Sequence, residues 1–139
     1  MESLAESLVR SGVASSFEIT EDGELRLRVH REKDASTASV TMTGTTEAYI
    51  LNLGDVYMTA RTAYDDDYKW EVLDDFFGCV EAFVEGDYHE EIGEWNGRVV
   101  SRVIHLNVPG GSRTMSAHGG LLAGIGRILG YKKSIVRPV

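Results

Sequence analysis

Residues 65–86 read DDDYKWEVLDDFFGCVEAFVEG, and this stretch decides the expected fold. Trp70, Leu73, Phe77, Val80 and Val84 recur at 3-4-3-4 spacing, widened by Phe76 and Phe83. That is the apolar stripe of an α-helix seated on a core. Asp65, Asp66 and Asp67 stand where a helix start favours a cap and negative charge, and Gly86 supplies a stop. A helix from Asp65 to Glu85 is therefore expected.

The opposite face of that helix carries Asp67, Glu71, Asp74, Glu81 and Glu85, with Gly78 in line. The i,i+4 pairs Asp67/Glu71, Glu71/Asp75 and Glu81/Glu85 each oppose the helix by about 0.2–0.5 kcal/mol. The macrodipole offsets this in the first turns but not at Glu81 and Glu85, which lie at its negative end. Gly78 costs about 1 kcal/mol relative to alanine at an exposed helix position. A merely hydrated acidic face is the plain reading. Several penalties gathered on one stripe point instead to a face with a use.

The charge pattern extends that argument. Residues 65–94 hold twelve carboxylates against one lysine, and no acidic residue follows Glu94. The net charge is −4 over residues 1–64, −11 over 65–94 and +7 over 95–139, within an overall −8. Clustered like charges oppose folding by self-repulsion, and they steer encounters with partners of opposite sign.

Outward from the helix, the chain reads as strands. A three-residue loop, Glu21-Asp22-Gly23, pairs Ile19 with Leu25, Phe17 with Leu27 and Glu18 with Arg26. A two-residue loop would mix apolar and charged residues on one face, so the first register is expected. Strands are expected at 38–43, 47–53 and 55–61, punctuated by Gly44 and Gly54, with 47–53 central. After the helix, Asn96-Gly97 favours a type I′ hairpin. A regular ladder from it sets Trp95 against Arg98, Glu91 against Arg102 and Tyr88 against His105. It leaves His89 and His105 on opposite faces. A helix is expected at 2–11, a loop after Pro109-Gly110-Gly111, a short helix at 121–129 and an edge strand at Ser134–Arg137. The expected fold class is thus α+β in a single domain, residues 1–139. It is a mostly antiparallel sheet of five to seven strands with an N-terminal helix, a long central amphipathic helix and a short C-terminal helix.

Composition narrows the function. At 139 residues and 42% apolar content the chain can bury a core without metals or disulfides. The single cysteine, Cys79, and an acidic start without a signal-peptide pattern favour the cytoplasm. No stretch is long and apolar enough for a membrane span, and the low pI of 4.9 speaks against general nucleic-acid binding.

Catalytic and metal signatures are weak. Asp65–Asp67 lacks the ligand alternation of a calcium loop, and His89-Glu90-Glu91 lacks a second histidine at helical spacing. Cys79 among carboxylates has its thiolate disfavoured. The glycines of 119–126 match no phosphate-loop pattern. No cofactor, metal or catalytic residue is expected. The expectation is a small acidic binding or inhibitor protein, in the manner of an immunity protein that neutralises a basic, nuclease-like toxin. Its contacts would be Asp67, Glu71, Asp74, Glu81, Glu85 and Glu90, with Tyr68 and Tyr88 as aromatic anchors. The alternative is a homodimeric chaperone or adaptor for a secreted or disordered client. A third is a ligand-binding protein or enzyme with Tyr49, Tyr57, Arg61, His105 and Arg113 around a pocket.

Overall fold

A computed structural model describes residues 14–19, 24–30, 37–43, 47–118, 130 and 132–138. Nine strands and one helix form there: β1 (Ala14–Ile19), β2 (Leu25–His30), β3 (Thr37–Met42), β4 (Ala48–Leu53), β5 (Tyr57–Thr62), α1 (Asp66–Glu85), β6 (Tyr88–Trp95), β7 (Arg98–Val108), β8 (Gly111–His118) and β9 (Lys132–Val136). They make two antiparallel sheets, a five-stranded meander in the order β1-β2-β3-β4-β5 and a four-stranded sheet in the order β8-β7-β6-β9. The helix touches β7 on one side and β2, β3 and β4 on the other, while β5 meets β8. One helix thus fills the space between two sheet faces.

This corrects the expected class. Two sheets with nine strands take the place of one sheet of five to seven, and one helix stands among the described residues where three were expected. The expected helices at 2–11 and 121–129, and the glycine cluster at 119–126, lie outside the described residues. The strand β8 takes the place of the expected loop: it alternates polar side chains around one buried apolar residue, Met115, and so carries no apolar strand signal. Its hairpin signal is Pro109-Gly110, with Gly110 at φ 88° as the third position of a Pro-Gly turn requires.

The first sheet follows the face argument. Ile19 pairs with Leu25, Phe17 with Leu27 and Glu18 with Arg26. Leu27, Val29, Ala38, Val40, Tyr49, Leu51 and Leu53 form its buried face, and the alternate residues point outward. The second sheet contributes Ile104, Leu106 and Met115.

In the helix, Val72, Leu73, Phe76, Cys79, Val80, Phe83 and Val84 are buried. The Asp65 carboxylate accepts from the Asp67 and Tyr68 amides at 3.0 and 3.3 Å, capping the start. At the end Gly86 is left-handed (φ 78°), and Asp87 N–H donates to Ala82 O at 2.8 Å in a Schellman arrangement. Trp70 departs from the expected stripe: it is 65% exposed. The buried arc centres on Phe76, and Trp70 lies about 120° around the helix from it, at the margin of that arc.

The hairpin β6–β7 carries a second correction. Asn96 and Gly97 both have positive φ, 50° and 73°, as a type I′ turn requires, and Trp95 faces Arg98. A β-bulge then shifts the register between Gly93 and Glu94, leaving Val100 as the extra residue on β7. From there Ile92 faces Arg102, Glu91 faces Val103, His89 faces His105 and Tyr88 faces Leu106. The shift puts Tyr88 and Ile92 on the same face as Ile104 and Leu106, where a regular ladder would have turned them apart. It also overturns the expected Glu91–Arg102 pairing. Burial of the apolar set outweighs ladder regularity here.

Candidate functional site

The exposed side of α1 carries a row of acidic side chains. Asp67, Glu71, Asp74 and Glu85 are exposed, and among the described residues none of them has an ion-pair partner. Glu81 is half-buried and takes part in a further contact. Trp70 lies three residues after Asp67 and four before Asp74, so helical spacing sets it on the same face. Tyr68 is exposed on another side of the helix, two residues before Trp70, and Tyr64 is exposed just ahead of the helix start. On the acidic face the exposed aromatic side chain is therefore Trp70.

Two expected contacts sit elsewhere. Tyr88 stacks on Phe83, ring centroids 5.2 Å apart, against the core. The Glu90 carboxylate accepts a 2.6 Å hydrogen bond from the Tyr57 hydroxyl and lies 3.8 Å from Arg102 Nη1. Both face the interior with Leu106 and Ile104, and neither adjoins the helix surface. Gly78 also leaves the acidic stripe. It is half-buried under the β7–β8 turn, where an added Cβ would stand 3.6 Å from Pro109 and 3.7 Å from Val108. That is ordinary contact, so crowding does not demand the glycine.

The carboxylate most enclosed on the helix is one that sequence reasoning passed over. The Asp75 side chain, 13% exposed, lies 3.0 Å from Arg61 Nη1 and 2.6 Å from Arg113 Nε. Arg61 comes from β5 and Arg113 from β8, so one carboxylate fastens both sheets to the helix. Arg61 also covers the Phe76 ring at 5.6 Å from its centroid. The pairing of acids with this part of the basic C-terminal block has a limited reach. Arg113 meets the helix, whereas Lys132 lies opposite Glu94 in the β9–β6 ladder.

On the outward face of the second sheet, the His89 and His105 rings stack at 4.7 Å. His105 Nδ1 is 3.3 Å from the Thr114 hydroxyl, and its buried Nε2 lies 3.5 Å from Glu91 without hydrogen-bond geometry. The expectation that the two histidines occupy opposite faces fails for the reason given by the bulge. Tyr49, Tyr57, Arg61, His105 and Arg113 do not converge either. Tyr49 is in the core, Arg61 and Arg113 are held by Asp75, and His105 faces outward. Among the described residues no group of three or more histidine, cysteine or acidic side chains is arranged to hold a metal. No described helix is long and apolar enough to cross a membrane.

Two buried acids of the weak kind resist ionisation. Burial, and then the Asp75 charge, push the Cys79 thiol up from 9.0 to about 11, partly opposed by Arg113 and Arg61. Burial, reinforced by the hydrogen bond to Glu90, raises the Tyr57 phenol above its usual range. Both groups fold in the neutral form. Their stabilisation is intact below the unfolded values and is lost as pH climbs through the folded ones. The urea midpoint is thus expected to hold to about pH 9 and to fall by pH 11, by about 3 kcal/mol in stability. Cys79→Ala should remove the part of the fall that begins near pH 9, leaving the part that begins near pH 10. A midpoint flat across this range would contradict burial of both groups.

Known proteins offer no relative from which to extend these features: no family model, no curated protein and no solved structure matches the chain.

Proposed function

We propose that the protein is a small acidic binding or inhibitor protein that docks a basic protein partner on the exposed face of α1. The observation that carries this reading is Trp70, a large aromatic side chain held in water between Asp67 and Asp74. Exposed tryptophan among exposed carboxylates suits a partner that brings arginine or lysine: the ring takes the cation's face and the carboxylates take its charge. The acids steer encounter, and Trp70 supplies the contact that lasts. A nuclease-like toxin, with a cationic site made for phosphates, has the complementary surface.

The test uses the immobilised protein and a lysate of the source cells, followed by affinity measurement with the purified partner. The expected partner is basic, is released by high salt, and binds Glu71→Gln/Asp74→Asn more slowly. An affinity indifferent to both neutralisations and to salt would remove this reading.

The homodimeric adaptor remains as a second reading because of β9. Its described residues are all exposed, Ile135 and Val136 among them, and it borders the second sheet. An open edge can add a strand from a second copy or a client. Light scattering is expected to show a dimer that dissociates between about 20 and 500 mM salt if acidic and basic surfaces join. A monomer throughout would exclude it.

A further inference from the structure

The outward face of the first sheet holds a groove unrelated to the helix surface. The register places Arg28 opposite Ser39 and Ser39 opposite Asn52, one row across β2, β3 and β4. His30 and Thr37 form the next row, two residues along. The turn at Gly54–Val56 closes one end, and the groove has a volume of about 460 Å³. A hydrated sheet face would also be polar. This one is concave, and side chains that can donate outnumber its carboxylate, Asp55.

Its wall presents the Arg28 guanidinium, which also takes part in a further contact, an imidazole, two hydroxyls and an amide, each carrying donor groups, together with the Asp55 carboxylate. Asn52 Nδ2 reaches Ser39 Oγ at 3.4 Å, so the row is assembled as a unit. Donors converging from several strands fit an oxyanion, and a planar guanidinium can meet two of its oxygens. The lip is apolar: Met58 is 68% exposed and Val56 stands beside it. The space exceeds what an inorganic anion fills and lies in the range of small-molecule sites.

We infer that this groove binds a small organic oxyanion, its charged end on Arg28, Ser39 and Asn52 and its apolar part against Met58 and Val56. The protein's net charge of −8 repels anions at long range, so recognition must come from this local set of donors. Asp55 disfavours a second negative group at the turn end and favours a ligand with a single anionic end. The inference does not rest on the helix face, and either can fail without the other.

The test is an amide-resolved NMR titration of the full chain with phenyl phosphate, with inorganic phosphate and phenol as separate arms. Phenyl phosphate is expected to give saturable shifts at Thr37–Ser39 and Asn52–Met58, with at least tenfold tighter binding than either half alone. Arg28→Gln should weaken it tenfold or more, and Asn52→Ala several-fold, with the remaining spectrum unchanged as proof of folding. Absence of saturation up to about 10 mM overturns the proposal. So do shifts confined to other regions, equal binding of inorganic phosphate, or unaltered affinity in both variants.

Discussion

Phe76→Ala is expected to lower the unfolding free energy by about 3–5 kcal/mol. The ring is 1% exposed, on the helix that lies between the two sheets. Its removal subtracts the transfer free energy of a large aromatic side chain and leaves a cavity. Sheets held by their own ladders and by the Asp75 contacts to Arg61 and Arg113 can close that cavity only in part. The Arg61 guanidinium also loses the ring it covers. Against a total stability of about 5–15 kcal/mol, this is a large fraction, and the urea midpoint should fall without a change in slope. A loss under about 1 kcal/mol would mean that the helix is not seated between the sheets as described.

Trp70→Ala, six residues earlier on the same helix, should behave in the opposite way. With 65% of Trp70 exposed, its loss is expected to change stability by less than about 0.5 kcal/mol. Affinity for the basic partner should fall by about 30-fold or more, the scale of an interface hot spot, chiefly through faster dissociation. Neutralising Glu71 and Asp74 should act instead on the association rate and its salt dependence. The two effects are separable by surface plasmon resonance at two salt concentrations. A Trp70→Ala protein that unfolds readily but binds normally would return the residue to the core and withdraw the proposed function.

This contrast shows what the sequence made legible. The stretch 65–86 announces its helix by cap, period and stop, because those signals act within a turn or two. Which aromatic faces in and which faces out is not local. Trp70 and Phe77 fit an apolar stripe as well as Phe76 does, and only the position of the covering sheets distinguishes them. The same limit separates the two hairpins. The register of β1 and β2 follows from keeping Phe17, Ile19, Leu25 and Leu27 together, a condition the two strands settle between themselves. In β6 and β7 the corresponding condition joins Tyr88 and Ile92 to Ile104 and Leu106, and it is met only through the bulge at Val100. That signal is present in the sequence, but a regular ladder hides it. Asp75 and the groove row of Arg28, Ser39 and Asn52 are less legible still. Each joins residues from separate strands, and no spacing along the chain marks them as neighbours.

The ladder between β6 and β9 has a consequence for the order of assembly. Every other pairing in both sheets joins strands that follow one another along the chain, so each can form by closing a short loop. The β6–β9 ladder alone must bring Lys132 back to Glu94 across the β7–β8 hairpin. It gains little apolar burial in return, since every residue of β9 is exposed. This strand is therefore expected to join late on folding and to exchange its amide protons early, as hydrogen exchange would show. The basic end of the chain reaches its acidic neighbour late in folding, and the edge of β6 stays open until then.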